Sequence, residues 1–242
     1  MKKIILLSGT LGVGKSTTAS ELVELIEHCL HVEVDNFSNF EGFSVHNPEH
    51  LERVLREGVQ HALEKLEGEH NVAVLDYVIG KDSELTMIKS LIPAHVDFKF
   101  AYLESENGEL KHRICNRNRD CVEWELERTD TILEIQKDNL NFSLIDQQVD
   151  TTGKTPYEVA LEVAQDFFRL NAAAFVQRSD GLILFCHRRD SKYPEKNYQV
   201  PQGGVGSWQD ALRVIARKGF YLPPPQRNIR VAVKFLPPAK HP

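Results

Sequence analysis

Residues 9–16 read Gly-Thr-Leu-Gly-Val-Gly-Lys-Ser, which fits the phosphate-binding loop pattern G-x-x-x-x-G-K-[ST] at every position. The residue types explain the pattern. Gly9, Gly12 and Gly14 let backbone N–H groups curl around a polyphosphate, Lys15 adds a point charge near its outer phosphates, and Ser16 offers a hydroxyl to magnesium. The candidate cradle is therefore Gly9, Thr10, Gly12, Val13, Gly14, Lys15, Ser16 and Thr17. Such a loop works only if a strand aims it and a helix N-terminus meets the phosphates. The apolar run Ile4-Ile5-Leu6-Leu7 precedes it, and a helical pattern over 16–30 follows.

Two aspartates follow apolar runs elsewhere. Asp35 ends Val32-Glu33-Val34, from where it could take the proton of an attacking hydroxyl or hydrogen-bond a substrate; it could equally cap a turn. Asp76 ends Val72-Ala73-Val74-Leu75, the Walker B arrangement, which places a carboxylate in the shell of the magnesium that Ser16 would also hold. Arg113, Arg117 and Arg119 crowd one short stretch of an acidic chain, with Arg128 a further candidate. Arginines of this kind neutralise the charge that phosphoryl transfer spreads over equatorial oxygens, although a solvated basic face reads the same way. Phe37, Phe40 and Phe43 either stack on a flat or sugar-like substrate or plug the core beneath a loop.

These residues need a scaffold that gathers strand ends. Expected strands cover 4–7, 32–34, 72–75, 98–103 and, more weakly, 144–149. Expected helices cover 16–30, 48–67, 83–91, 109–119, 124–139 and 156–170. Asn47-Pro48 and Thr155-Pro156-Tyr157-Glu158 are helix starts, the second a capping box with proline in the first turn. Alternating strands and helices imply an α/β three-layer sandwich, a mostly parallel sheet with helices on both faces. Ligands of such sheets collect at the carboxyl ends of the strands, which is where the loop, Asp35 and Asp76 fall.

Together the loop, Asp35, Asp76, the 113–119 stretch and the turn Val149-Asp150-Thr151-Thr152-Gly153-Lys154-Thr155-Pro156 resemble the small P-loop kinases: nucleoside monophosphate kinases, shikimate and gluconate kinases, and zeta-toxin-like phosphotransferases. The resemblance covers residues 1–170. It implies transfer of the γ-phosphate of ATP, with Mg2+, to a small-molecule acceptor, possible acceptors including nucleosides and nucleotides. It assigns Lys15, Asp35, Arg113, Arg117 and Arg119 to catalysis, the arginine stretch to a lid over ATP, and the 149–156 turn to the edge of an adenine pocket. No motif fixes the acceptor.

The bulk numbers narrow the class. The chain has 242 residues, 41% hydrophobic and 26% charged, with a net charge of −6. The acidic balance argues against a nucleic-acid coat. No apolar run approaches the roughly 20 residues that span a bilayer, and Met-Lys-Lys leads straight into a short strand without signal-peptide features. A cytoplasmic protein is expected. Cys29, Cys115, Cys121 and Cys186 form no metal or C-x-x-C spacing and read as reduced thiols.

The pattern changes near residue 171, giving expected domains of 1–170 and 171–242. Short strands over 172–177, 181–186, 198–200 and 228–236, with a helix over 207–218, suggest a small α+β segment. In outline it resembles a Nudix domain, Gly181–Arg189 standing for an early strand and Tyr198-Gln199-Val200-Pro201-Gln202-Gly203-Gly204-Val205 for the strand entering the Nudix box. That box, G-x5-E-x7-R-E-U-x-E-E-x-G-U, cages metal with glutamates; here no glutamate occurs between Gly203 and Phe220, and Arg217 and Lys218 stand about where carboxylates are wanted. Cations do not ligate magnesium. The segment reads as a degenerate or truncated module. The competing functions are a Nudix-type pyrophosphohydrolase and a non-catalytic nucleotide-binding switch.

Overall fold

A computed structural model of the chain describes residues 2–117, 121–176, 186–187, 198–199, 202–204 and 229–236. The chain divides into two units, Met1–Asp166 and Phe167–Pro242.

The first unit alternates strand and helix: β1 (Lys3–Ser8), α1 (Lys15–Leu25), β2 (Cys29–Glu33), α2 (Pro48–Glu67), β3 (Val72–Asp76), α3 (Asp82–Leu91), β4 (Asp97–Glu104), α4 (Asn107–Cys115), α5 (Val122–Asn139), β5 (Gln147–Asp150) and α6 (Pro156–Phe167). All five strands are parallel, in the order β2-β3-β1-β4-β5. The expected α/β sheet is thus present. The central strand β1 is fully buried at Ile4, Ile5, Leu6 and Leu7, as a strand covered on both faces must be. Side chains alternate between faces. Ile4 and Leu6 join Val32, Ala73, Leu75 and Phe100 in a core covered by α2 and α3 through Val54, Leu55, Val59, Ala62, Leu85 and Ile88. On the other face α1 buries Ala19 and Leu22. Burying a side chain of this size contributes roughly 1.5–3 kcal/mol.

Both expected helix starts form. The Asn47 side chain accepts from the Glu49 N–H at 2.9 Å, and Pro48 occupies the first turn of α2. Thr155 and Glu158 bond each other's backbone N–H groups, at 2.8 and 3.3 Å, opening α6.

Several boundaries differ from the sequence expectation. Helix α1 stops at Leu25 rather than continuing to residue 30, because Cys29–Glu33 pair with β3 as a parallel edge strand. A tight turn through His28, at φ 57°, joins the two. Helix α4 ends at Cys115 rather than continuing to residue 119, so Arg117, four residues after Arg113, lies in the turn beyond it and not on a shared helix face. The fifth strand begins at Gln147, after a 3-10 turn over Phe142–Leu144. Helix α6 gives way at Phe167 to a strand starting at Arg169. Among the described residues no helix is long and apolar enough to cross a membrane.

The second unit contains β6 (Arg169–Val176), β7 (Cys186–His187), β8 (Tyr198–Gln199), β9 (Gln202–Gly204) and β10 (Ile229–Leu236). Strand β6 pairs antiparallel with β10, from Leu236 against Arg169 to Ile229 against Val176, and with β9 on its other edge. Strands β7 and β8 form a separate antiparallel pair. The helix expected over 207–218 lies outside the described residues.

Candidate active site

The loop leaves β1 through Ser8, whose hydroxyl accepts the Ile79 N–H at 2.8 Å. It then passes so close to β4 that a Cβ on Gly9, at φ 138°, would run into the Leu103 carbonyl. Gly14, at φ 100°, caps α1 without any side-chain bond, and the first turn of the helix holds no acidic residue. The amides of that turn are therefore free of the side-chain acceptors that usually quench helix N-termini, which is the condition an anion needs. Thr10 and Val13 are buried, so they offer only backbone; Ser16 and Thr17 are exposed. Thr10 is fastened to α5 by a bond from Oγ1 to the Thr129 carbonyl at 3.4 Å.

The Lys15 ammonium reaches back to the Thr10 carbonyl at 3.1 Å. Burial lowers its pKa from the ordinary lysine value, while Asp76 and Asp35 favour its charge and Arg117 opposes it. Asp76 is 6% exposed. Burial pushes its carboxyl up, but the facing His31 imidazole, the Lys15 charge and the Ser16 hydroxyl outweigh that and hold it below the usual range. Asp35 lies in a 3-10 turn, Val34–Ser38, directly after β2. It is exposed, yet its surroundings partly desolvate it and, with Asp76 and Glu33, push its carboxyl up against the pull of Lys15. Lys15, Ser16, Asp76 and Asp35 are thus brought together at the carboxyl ends of β1, β2 and β3.

Among the described residues no group of three or more His, Cys, Asp or Glu side chains forms a metal cage. Ser16 and Asp76 nevertheless present hard oxygen donors side by side. Magnesium, which keeps several waters and takes few protein ligands beside substrate phosphates, fits that donor set.

The arginines separate. Arg113 is a brace: its guanidinium donates to Thr151 Oγ1 at 3.0 Å, the Thr151 carbonyl at 2.7 Å and the Val13 carbonyl at 3.4 Å, and pairs with Glu109 at 3.0 Å. It ties α4 to the phosphate loop and to the turn after β5. Arg117 is exposed and close enough to Lys15 to oppose its charge; Arg119 lies outside the described residues. A cavity of about 460 Å³ opens here, lined by Gly14, Thr17, Arg113, Thr151, Lys154 and Pro156 among others.

The phenylalanines take the second of their two expected roles. Phe37, Phe40 and Phe43 pack against the core under α2; Phe40 meets Phe43 edge-on at 5.4 Å and lies beneath the Arg53 guanidinium at 4.2 Å. Sequence reasoning missed Tyr77 and His31. Tyr77, buried after Asp76, has its hydroxyl pKa raised by burial and by Asp35 and Glu84, with Arg128 opposing. Cys29, Cys115 and Cys121 are free thiols.

Solved structures share this fold. A sugar kinase from Janibacter sp. HTCC2649, unliganded, is 14% identical, over 67% of this chain and 92% of that one, with a TM-score of 0.50. The APS kinase of Mycobacterium tuberculosis, in complex with AMPPNP and APS, is 15% identical, over 68% and 96%, also with a TM-score of 0.50. At these identities the likeness is one of fold. No curated protein matches the chain. Nothing in these likenesses supports the Nudix-like reading of residues 171–242. The model of one family, described as AAA domain, matches residues 5–134. That stretch runs from the loop's own strand through Asp35, Asp76 and the arginines to most of α5, more than half of the sequence, and the chain belongs to the AAA domain family.

Proposed function

We propose that the protein is an ATP-dependent phosphotransferase acting on a small-molecule acceptor. The observation that carries this reading is the convergence of an uncapped helix N-terminus, Lys15, the Ser16–Asp76 pair and Asp35 in one cleft. The loop amides from Gly9 to Thr17 and the Lys15 ammonium bind the phosphates of ATP. Ser16 and Asp76 are the residues that would hold Mg2+, which when bound screens charge on the phosphate oxygens. Asp35 orients the acceptor hydroxyl and takes its proton as the oxygen attacks the γ-phosphorus. The bond from the γ-phosphorus to the bridging oxygen breaks, and ADP leaves with that electron pair. Arg113 holds the wall of the nucleotide pocket, while Arg117 and Arg119 close over the transferring group, where charge develops.

A nucleotide-binding switch would use the loop but have no need of Asp35. The two readings separate in one assay: ADP release from ATP and Mg2+, with and without a panel of nucleosides, nucleotides, sugars and sugar acids. The phosphotransferase reading expects one acceptor class to stimulate ADP release well above background. Tight ATP binding with no stimulation by any class would favour the switch.

A further inference from the structure

His31 lies on β2 on the same face of the sheet as Asp76, since the parallel register sets His31 against Val74 and Glu33 against Asp76. Its side chain is 14% exposed, and its Nε2 stands 3.4 Å from Asp76 Oδ2. That is long for an N–H···O bond. Yet Nε2 is sealed from solvent, and no other polar atom among the described residues bonds it. A buried ring nitrogen asks for a partner, and the group facing this one is the Asp76 carboxylate. Ser16 and Lys15, both of the phosphate loop, favour the charged form of Asp76. The carboxylate therefore has two sides, one against the imidazole and one toward the phosphate loop.

We infer that His31 is a positioning residue for Asp76: its Nε2–H, directed at Oδ2, fixes the carboxylate so that the other oxygen faces Ser16 and the metal. The inference rests on the metal role proposed above for Asp76. A carboxylate at a strand end is free to rotate about its last bond, and only one of its rotations serves a cation held by Ser16. A donor on the far side selects that rotation and pairs an oxygen that would otherwise be buried without one. His31 touches neither nucleotide nor acceptor. Partners of this kind, one step removed from the ion, typically change metal affinity by roughly 10- to 100-fold when lost.

The test is Mn2+ binding to the 242-residue protein with AMPPNP, read by electron paramagnetic resonance. His31→Leu should weaken Mn2+ by roughly tenfold or more. His31→Gln, whose amide can donate to the same carboxylate, should recover most of the loss. AMPPNP affinity in EDTA should be unchanged in both. In the wild-type protein the imidazole 15N shifts should report a protonated Nε2, displaced in Asp76→Asn. Wild-type Mn2+ affinity in both His31 variants, with Asp76→Asn weakened, would overturn the positioning role and leave the metal role of Asp76 intact. Undiminished affinity in Asp76→Asn would remove that metal role and this inference with it. An unprotonated Nε2 in the wild type would overturn the inference even if neither His31 variant folds.

Discussion

Lys15 sits where burial opposes its charge while Asp76 and Asp35 favour it. A lysine with a lowered folded-state pKa costs the fold stability in full below that pKa, and the cost is relieved as pH rises from it to the ordinary lysine value. Lys15→Ala should therefore leave the thermal midpoint unchanged or raise it, while turnover falls on the order of 100-fold or more. A melt beside an ADP assay checks both, and near-wild-type turnover would remove Lys15 from the mechanism. Asp35 shifts the other way. Its raised pKa keeps it protonated to a higher pH than an ordinary aspartate, and a protonated carboxyl cannot accept the acceptor's proton. The acid limb of kcat/KM should thus lie above the usual carboxylate range, with activity lost as pH falls through it. Asp35→Asn should abolish that limb along with most turnover. An unchanged limb in the residual activity would assign it to another group. The sequence made Lys15 and Ser16 legible because the loop's chemistry is local. His31 was not, because it matters only through Asp76 on the neighbouring strand.

Elements position these residues through a few buried polar links. Gln136 on α5 accepts the Tyr102 hydroxyl at 2.8 Å and donates to the Ile79 carbonyl at 2.7 Å, joining α5, β4 and the loop after Asp76. Gln136→Leu fits the space but strands both partners, so it should cost about 1–3 kcal/mol. The midpoint of urea unfolding should fall with little change in slope; an unmoved midpoint would mean that water or a side-chain shift satisfies the pair. Element type was legible where periodicity was long, as in α2, whose start matches the Asn47-Pro48 signal. Boundaries were not. The apolar residues at 22–30 continue a helical pattern on paper, but pairing of Cys29–Glu33 with β3 takes precedence over it. That misplacement hid His31, since a residue left between a helix over 16–30 and a strand over 32–34 has no register with Asp76. The same fault put Arg117 on a helix that stops at Cys115.

Across the whole molecule, every residue placed in the proposed mechanism belongs to the first unit, Met1–Asp166. The second unit carries no glutamate between Gly203 and Phe220, and the carboxylates nearest that stretch, Glu195 and Asp210, make a poor cage for a metal cluster. The 242-residue Lys15→Ala protein should therefore show no magnesium-dependent hydrolysis of nucleoside diphosphate derivatives. Robust hydrolysis in that background, lost on changing Asp210 or Glu195, would reveal a second active site. The parallel sheet was legible from alternating strands and helices; the antiparallel pairing of β6 with β10 joins residues some sixty positions apart and left no local trace. The central claim is that the γ-phosphoryl group of ATP moves to an acceptor. Following a γ-32P label through the acceptor panel tests it most directly. The account expects label in a phosphorylated acceptor, in amounts that match ADP and vanish in Lys15→Ala. Label found only in inorganic phosphate, whatever acceptor is present, would contradict it.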